Sequence, residues 1–158
     1  MPPTELPWPA AHWLDRPADE VLAELDGQIA SARAAGRGAE LVRLLTLWGD
    51  VAGAVGRPDA EAGLQLARAE AARLGEPDLL CQALLAQARL DADANLHARA
   101  LSACRSAGDV ARAQGRIALV RQALFTAGGS LCHLGEHDLA LEAFEEARML
   151  LRAHAGTL

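Results

Sequence analysis

The chain has 158 residues, of which 51% are hydrophobic and 23% charged, the balance of a globular domain with a buried core of its own. Its formal net charge is −6 and no helix face is basic, so neither nucleic acid nor an anionic membrane surface is expected as a partner. Alanine is abundant while β-branched and aromatic residues are scarce, and this composition favours helices.

The cellular location is predicted from the first residues, the apolar runs and the cysteines. The N-terminal segment has no basic region followed by an apolar run, and no apolar stretch reaches about 18 residues, so neither a secretory signal nor a membrane span is expected. Cys81, Cys104 and Cys132 are widely spaced and odd in number, which is typical of reduced thiols. We therefore expect a cytoplasmic protein.

Residues 1–16 are predicted to form an extended N-terminal arm. Trp8 and Trp13 lie there among prolines, which disfavour a regular helix. Two Trp side chains are costly to leave in water, so the arm either packs on the rest of the chain or docks on a partner.

Residues that close helices recur about every 20 positions in the remainder of the chain, 17–158. They are Gly36, Gly56, Gly75, Asn95, Gly115, Gly135 and Gly156. Gly and Asn tolerate the left-handed conformation that ends a helix. The spacing predicts a leading helix over 18–35 and three helix pairs over 37–75, 76–115 and 116–156. Gly108 and Asp109 fall inside the second helix of the middle pair and predict a kink or break there.

Apolar and small residues repeat in register across the three pairs. In the first helices the aligned sets are Leu41, Leu80 and Val120, then Leu45, Leu84 and Leu124, then Gly49, Ala88 and Gly128. In the second helices they are Ala62, Ala100 and Ala140, then Leu66, Cys104 and Phe144, then Ala69, Ala107 and Ala147. The first pair needs a one-residue shift for this alignment, which we place at Pro58. Ala23 and Ala30 match the same positions in the leading helix, and spacings of three, four and seven put each set on one helix face.

The last repeat resembles a tetratricopeptide repeat, whose pattern is W-x2-L-G-x2-Y followed by A-x3-F. The matching residues are Leu124, Ala127, Gly128, Leu131, Ala140, Phe144 and Ala147. The resemblance covers about 37–156, with a period near 40 rather than 34, which is similar to the longer bacterial repeats of this family. It implies an all-α fold, a right-handed α-solenoid of about seven helices, and a function in binding proteins or peptides.

The resemblance also implies a binding groove, because the first helix of each pair lines the concave face in this family. By register the groove residues are Arg43, Asp50, Gln82, Leu85, Arg89, Asp93, Gln122, Phe125 and His133, together with Thr46, Gly129 and Cys132. Such a row of polar and a few apolar side chains suits an extended peptide, and no cofactor is expected.

Residues 132–137 contain the pattern H-x-x-E-H of inverted zinc peptidases, formed by His133, Glu136 and His137. Zinc catalysis needs both His on one face of a continuous helix, whereas Gly135 between them is predicted to be a turn. We therefore interpret these His as flanking a turn. A metal site of Cys132, His133 and His137, or a metal-dependent hydrolase, is the alternative.

Asp91, Asp93 and Asn95 match the start of a calcium loop, D-x-D-x-N. The glycine and glutamate that complete such a loop are replaced by Leu96 and Ser102, so we predict an inter-helix turn instead. Asp91 aligns with core positions of the other repeats, which predicts a buried carboxylate in need of a partner.

The predicted function is non-catalytic binding of a protein or peptide, as a scaffold, adaptor or regulator. A small chaperone for an exported client is the alternative, since three-repeat chaperones of this family are similar in length. The last predicted helix, 137–154, has no polar capping helix after it in the sequence. We expect a homodimer, in which two copies pair at this end or the arm of another copy covers it.

Overall fold

The computed structural model describes residues 16–156, which form seven α-helices. They are α1 Ala18–Ala34, α2 Gly38–Ala54, α3 Ala60–Leu74, α4 Pro77–Asp93, α5 His97–Ala113, α6 Ile117–His133 and α7 His137–Gly156. The leading helix and the three pairs are therefore confirmed as helices. The predicted N-terminal arm lies outside the described residues apart from Arg16.

The helices end where the sequence predicts, at residues in the left-handed conformation. Their φ angles lie between 60° and 80°, at Gly36, Gly56, Gly75, Asn95, Gly115 and Gly135. At the last of these turns the Glu136 N–H donates to the Leu131 carbonyl at 2.9 Å, which satisfies a backbone acceptor at the end of α6. Gly156 is the last residue of α7.

Each helix packs antiparallel against the next one along the chain, so the contacts are sequential. In addition, α2 contacts α4 and α4 contacts α6. Within residues 16–156, no contact of similar extent joins α3 to α5 or α5 to α7. The first helices of the pairs are therefore side by side, and α4 is enclosed by α2, α3, α5 and α6. None of the described helices is long and apolar enough to cross a membrane.

The predicted register of the first helices is confirmed, since the aligned residues are buried apart from Leu80 and Leu124, which are half-buried. This register pairs small residues with large ones. A Cβ added to Gly49 would lie 2.4 Å from Leu64 Cδ2, and one added to Gly128 would lie 2.6 Å from Phe144 Cε1. In the middle pair, Ala88 shares a core cluster with the smaller side chain of Cys104. The size of the residue on the first helix thus complements the residue facing it from the second.

The predicted register of α3 is wrong. Ala62, Leu66 and Ala69 are exposed, whereas the buried residues of α3 are Ala60, Gly63, Leu64, Ala67 and Ala71. The turn from Gly56 to the first buried Ala is one residue shorter than the equivalent turns after Asn95 and Gly135. The adjustment does occur around Pro58, but in the direction opposite to the one predicted.

The same error affects α1, where Ala23 and Ala30 are exposed. The helix instead buries the residues Val21, Leu22, Leu25, Ile29 and Ala32. These apolar residues belong to one core cluster with Leu41, Leu45 and Trp48 of α2. The leading helix is therefore held by side chains larger than the alanines that the alignment favoured.

Of the kink or break predicted at Gly108, the break is wrong, because α5 continues through this residue to Ala113. Gly108 is buried, and a Cβ placed there would lie 3.8 Å from Cβ of Ala123 in α6. A glycine inside a helix costs only about 1 kcal/mol relative to alanine, and the packing of α5 against α6 offsets this cost.

Candidate functional site

Exposed polar side chains form a row across the three first helices. Arg43 of α2, Gln82 of α4 and Gln122 of α6 occupy the same register position, and all three are exposed. Because α2 contacts α4 and α4 contacts α6, equivalent positions of these helices are neighbours. Within residues 16–156, no ion pair involving Arg43 is found. We call these three residues the polar row.

Two other predicted groove residues bind each other across α2 and α4. Arg89 Nε donates to Asp50 Oδ1 at 3.2 Å, and Arg89 Nη2 donates to Asp50 Oδ2 at 2.9 Å. The Asp50 side chain is 14% exposed and that of Arg89 is 40% exposed. The two parallel bonds fix the position of α2 relative to α4 beside the polar row.

Leu85 does not line a groove, because it is buried at 1% exposure. It belongs to the core cluster that α4 forms with α5 and α6, and Thr46, one repeat earlier, is buried as well. Phe125 occupies the same register position in α6 but is 67% exposed. Its ring meets that of Phe144 edge to face, with the centroids 5.5 Å apart. In the first two repeats this register position is therefore buried in a helix interface. In the last repeat the same position, Phe125, is exposed.

His133 and Asp93 line a shallow cleft where α4, α5 and α6 meet. The His133 ring stacks on His97 of α5, with the centroids 4.2 Å apart and the planes 3° from parallel. Ser130 also lines the cleft and is 2% exposed. In the part of the chain that the structure describes, Oγ of Ser130 and Nδ1 of His97 have no hydrogen-bond partner.

Sequence reasoning missed His97 and Ser130. The stack forms because α5 and α6 are antiparallel, which brings the first residue of α5 next to the last residue of α6. Antiparallel pairing could have predicted this proximity of His97 to His133. Ser130 is the only polar side chain among the buried residues of α6, and its alignment with Val51 and Leu90 could have predicted its burial.

The H-x-x-E-H residues lie on both sides of a turn. His133 ends α6, His137 begins α7, and Gly135 between them has φ 80°. The two His therefore lie on different helices and share no helix face, which agrees with the turn that the sequence predicted at Gly135. Among residues 16–156 no three His, Cys, Asp or Glu side chains cluster as metal ligands, so Cys132, His133 and His137 are not brought together. Asn95, in the calcium-like pattern, is the left-handed residue of the turn between α4 and α5.

Asp91 is a buried carboxylate with partners. It is 4% exposed, accepts a hydrogen bond from Gln87 Nε2 at 3.2 Å, and lies 3.5 Å from Arg99 Nη2. Arg99 also donates to Glu61 of α3 at 2.7 Å. Burial raises the pKa of Asp91 above its usual value of 3.8, although the charge of Arg99 opposes that shift. The predicted partner is therefore found, and the network joins α3, α4 and α5.

Asp91→Asn should raise the free energy of unfolding at neutral pH, because it removes a buried charge, keeps the side-chain shape and leaves Arg99 bound to Glu61. With a raised pKa, folded Asp91 holds its proton more tightly than the unfolded chain does. This residue therefore makes the wild-type protein less stable as the pH rises above the usual Asp pKa. Urea denaturation at a series of pH values from acidic to neutral measures the free energy of unfolding. Its decrease with rising pH should be smaller in Asp91→Asn than in the wild type. Exposed Asp93→Asn is the control, and identical pH profiles for Asp91→Asn and wild type would contradict the assignment.

The buried cysteines are poor nucleophiles. Burial raises the pKa of Cys81 to about 11 and that of Cys104 to about 11, so both are protonated at neutral pH. Cys81 Sγ donates to the carbonyl of Ala107 at 3.4 Å, and Cys104 packs against Ala88. Both thiols fill space between helices.

No protein-family model matches this sequence, and no curated protein is significantly similar to it.

Proposed function

We propose that this chain is a tetratricopeptide-like, non-catalytic binding module, a right-handed solenoid whose first helices line its concave face. Its ligand is an extended segment of another protein, bound across α2, α4 and α6. The observation that carries the proposal is the contact of α2 with α4 and of α4 with α6, which aligns Arg43, Gln82 and Gln122 in an exposed row.

The spacing of the helices supports an extended ligand. Packed helices lie about 8–10 Å apart, so the polar row offers one side chain at about that interval. A segment in the polyproline II conformation turns once every three residues and rises about 3.1 Å per residue, so equivalent side chains repeat about every 9 Å. Every third residue of such a segment can therefore meet one member of the row.

The chemistry of the row indicates what the segment carries. The Gln82 and Gln122 amides each offer a donor and an acceptor, which matches backbone N–H and C=O groups that an extended peptide leaves unpaired. Arg43 offers a guanidinium, which binds a carboxylate with two parallel hydrogen bonds. We therefore expect an acidic residue of the ligand opposite α2, and backbone contacts opposite α4 and α6.

A selection from displayed random peptides tests this proposal. Peptides selected on the wild-type protein should be enriched in an acidic residue at one fixed position. The variant Arg43→Glu with Gln82→Ala and Gln122→Ala should bind them at least about tenfold more weakly, since charged hydrogen bonds contribute roughly 1.5–3 kcal/mol each.

The matched control variant changes the same residue types away from the first helices, with Gln65→Ala in α3, Arg105→Glu in α5 and Gln114→Ala directly after α5, all at exposed positions. It should bind the selected peptides as the wild type does. Equal loss of binding in both variants, or no selected peptide at all, would contradict the proposal. Binding of a client only in its unfolded state would instead favour the chaperone function.

A further inference from the structure

An apolar surface on the last two helices has no neighbour among residues 16–156. It consists of Phe125 from α6 and of Leu141, Phe144 and Leu151 from α7, and we call it the end surface. Phe125 is 67% exposed, Leu141 58% and Leu151 50%. Phe144 is half-buried between the ring of Phe125 and the backbone at Gly128. Leu141, Phe144 and Leu151 form an apolar stripe along one side of α7. Met149 is also exposed but lies on another side of the helix, because successive residues are rotated by about 100° around the helix axis.

The repeat register shows that the end surface has the form of a site that accepts a helix. The residues at the positions of Phe125 and Leu151 in earlier repeats are all buried. They are Thr46, Leu85, Ala71 and Ala111. In those repeats the next pair covers the surface, because α4 contacts both α2 and α3, and α6 contacts both α4 and α5. The last pair offers the same kind of surface, and an α-helix fits it.

The charges on α7 indicate which helix binds there. Acidic residues lie in its N-terminal half, at Asp138, Glu142, Glu145 and Glu146, and basic residues follow at Arg148 and Arg152. Glu146 is bound to Arg112 of α5, at 2.6 Å. Within the described range no ion pair is made by Glu145, Arg148 or Arg152, which flank or interrupt the apolar stripe. A helix of this charge pattern is complementary to an antiparallel copy of itself.

We propose that the end surface is the interface of a homodimer in which α7 packs antiparallel on α7 of a second copy. A two-fold axis near residues 146–147 places Leu141 beside Leu151 of the second copy and Glu145 beside Arg148 of the second copy. Two-fold symmetry makes each of these contacts twice, so one self-complementary helix supplies both halves of the interface. The antiparallel arrangement also aligns the two helix dipoles favourably.

Sedimentation equilibrium of the full chain, with charge-reversed variants, tests this interface. The wild-type protein should be a dimer, whereas Glu145→Arg and Arg148→Glu should each weaken the dimer by about tenfold or more, because like charges then face each other. In an equimolar mixture of the two variants both cross-interface pairs become Arg–Glu again. The mixture should therefore form heterodimers, which native mass spectrometry detects by their intermediate mass.

Leu141→Ser should also weaken the dimer, whereas Met149→Ser and Glu142→Arg, on the same helix but off the stripe, should leave it intact. Circular dichroism of each variant separates loss of dimer from loss of fold. A wild-type protein that is monomeric at high micromolar concentration overturns the proposal. So does a dimer that persists in both charge variants, which would assign the contact to another surface such as the N-terminal segment.

Discussion

Gly49→Ala should lower the free energy of unfolding by about 2 kcal/mol, even after the gain of roughly 1 kcal/mol by which alanine favours a helix over glycine. The added Cβ would lie 2.4 Å from Cδ2 and 2.5 Å from Cγ of Leu64. Leu64 is 0% exposed, so its side chain cannot turn into solvent and α3 itself must move away from α2. Urea denaturation followed by circular dichroism measures the loss.

Gly27→Ala is the control for this substitution, because nothing beyond the neighbouring residues and the local helix backbone lies within 4 Å of a Cβ added there. It should stabilise the protein by up to about 1 kcal/mol. Combining Gly49→Ala with Leu64→Cys copies the pair formed by Ala88 and Cys104 in the middle repeat. The double variant should lose less than the sum of the two single losses. A neutral or stabilising Gly49→Ala would show that the packing of α2 on α3 differs from the one described.

Leu25→Ala should cost about 2–4 kcal/mol, because it removes a fully buried side chain and leaves a cavity between α1 and α2. Leu25 is 0% exposed, and α1 packs mainly on α2. In an array with sequential contacts, the loss should be felt most by the nearest helices. Backbone amide hydrogen exchange of the variant should therefore accelerate most in α1 and least in α6 and α7.

Ala23→Ser is the matched control in the same helix. Ala23 is exposed, so its replacement should change the stability by less than about 0.5 kcal/mol. If Ala23→Ser were the more damaging change, the alignment that buried Ala23 would be right and the described register of α1 wrong. Uniform acceleration of exchange in all seven helices would contradict the sequential packing.

The helix ends could be predicted from the sequence because they depend on local chemistry. Only glycine and asparagine enter the left-handed conformation at low cost, so Gly36, Gly56, Gly75, Asn95 and Gly115 mark turns wherever the rest of the chain lies. The buried stripe of the first helices followed from the constant distance between these turns.

The register of α3 was predicted wrongly because only three positions were compared. Alanines at 60 and 67 and a leucine at 64 describe one face, and the same residue types two positions later describe another. The positions two residues after Gly63 and Ala71 are Gln65 and Arg73, so the full pattern favours the face that the structure buries. The turn at Pro58 has the length that fits the first of these faces, and burying the other face would also bury Gln65 and Arg73. In Ala-rich helices the buried face is hard to predict from a few positions, because small side chains occur on more than one face.

The candidate site was predictable where it depended on repeat register, and not where it depended on contacts between neighbours. The neighbourhood of Asp50 and Arg89 follows from their equivalent positions in α2 and α4. The burial of Leu85 does not, because it requires knowing that α6 covers this side of α4. The stack of His97 on His133 joins a helix start to a helix end, which an alignment of repeats never compares.

The binding of an extended segment across the first helices is tested most directly by NMR. A selected peptide is titrated into the uniformly labelled protein, and the backbone amide shifts are mapped on the helices. The largest changes should follow the polar row, near Arg43, Gln82 and Gln122, with little change in α3 and α5. Changes confined to α3 and α5, or to the end surface of α6 and α7, would contradict the proposed binding site.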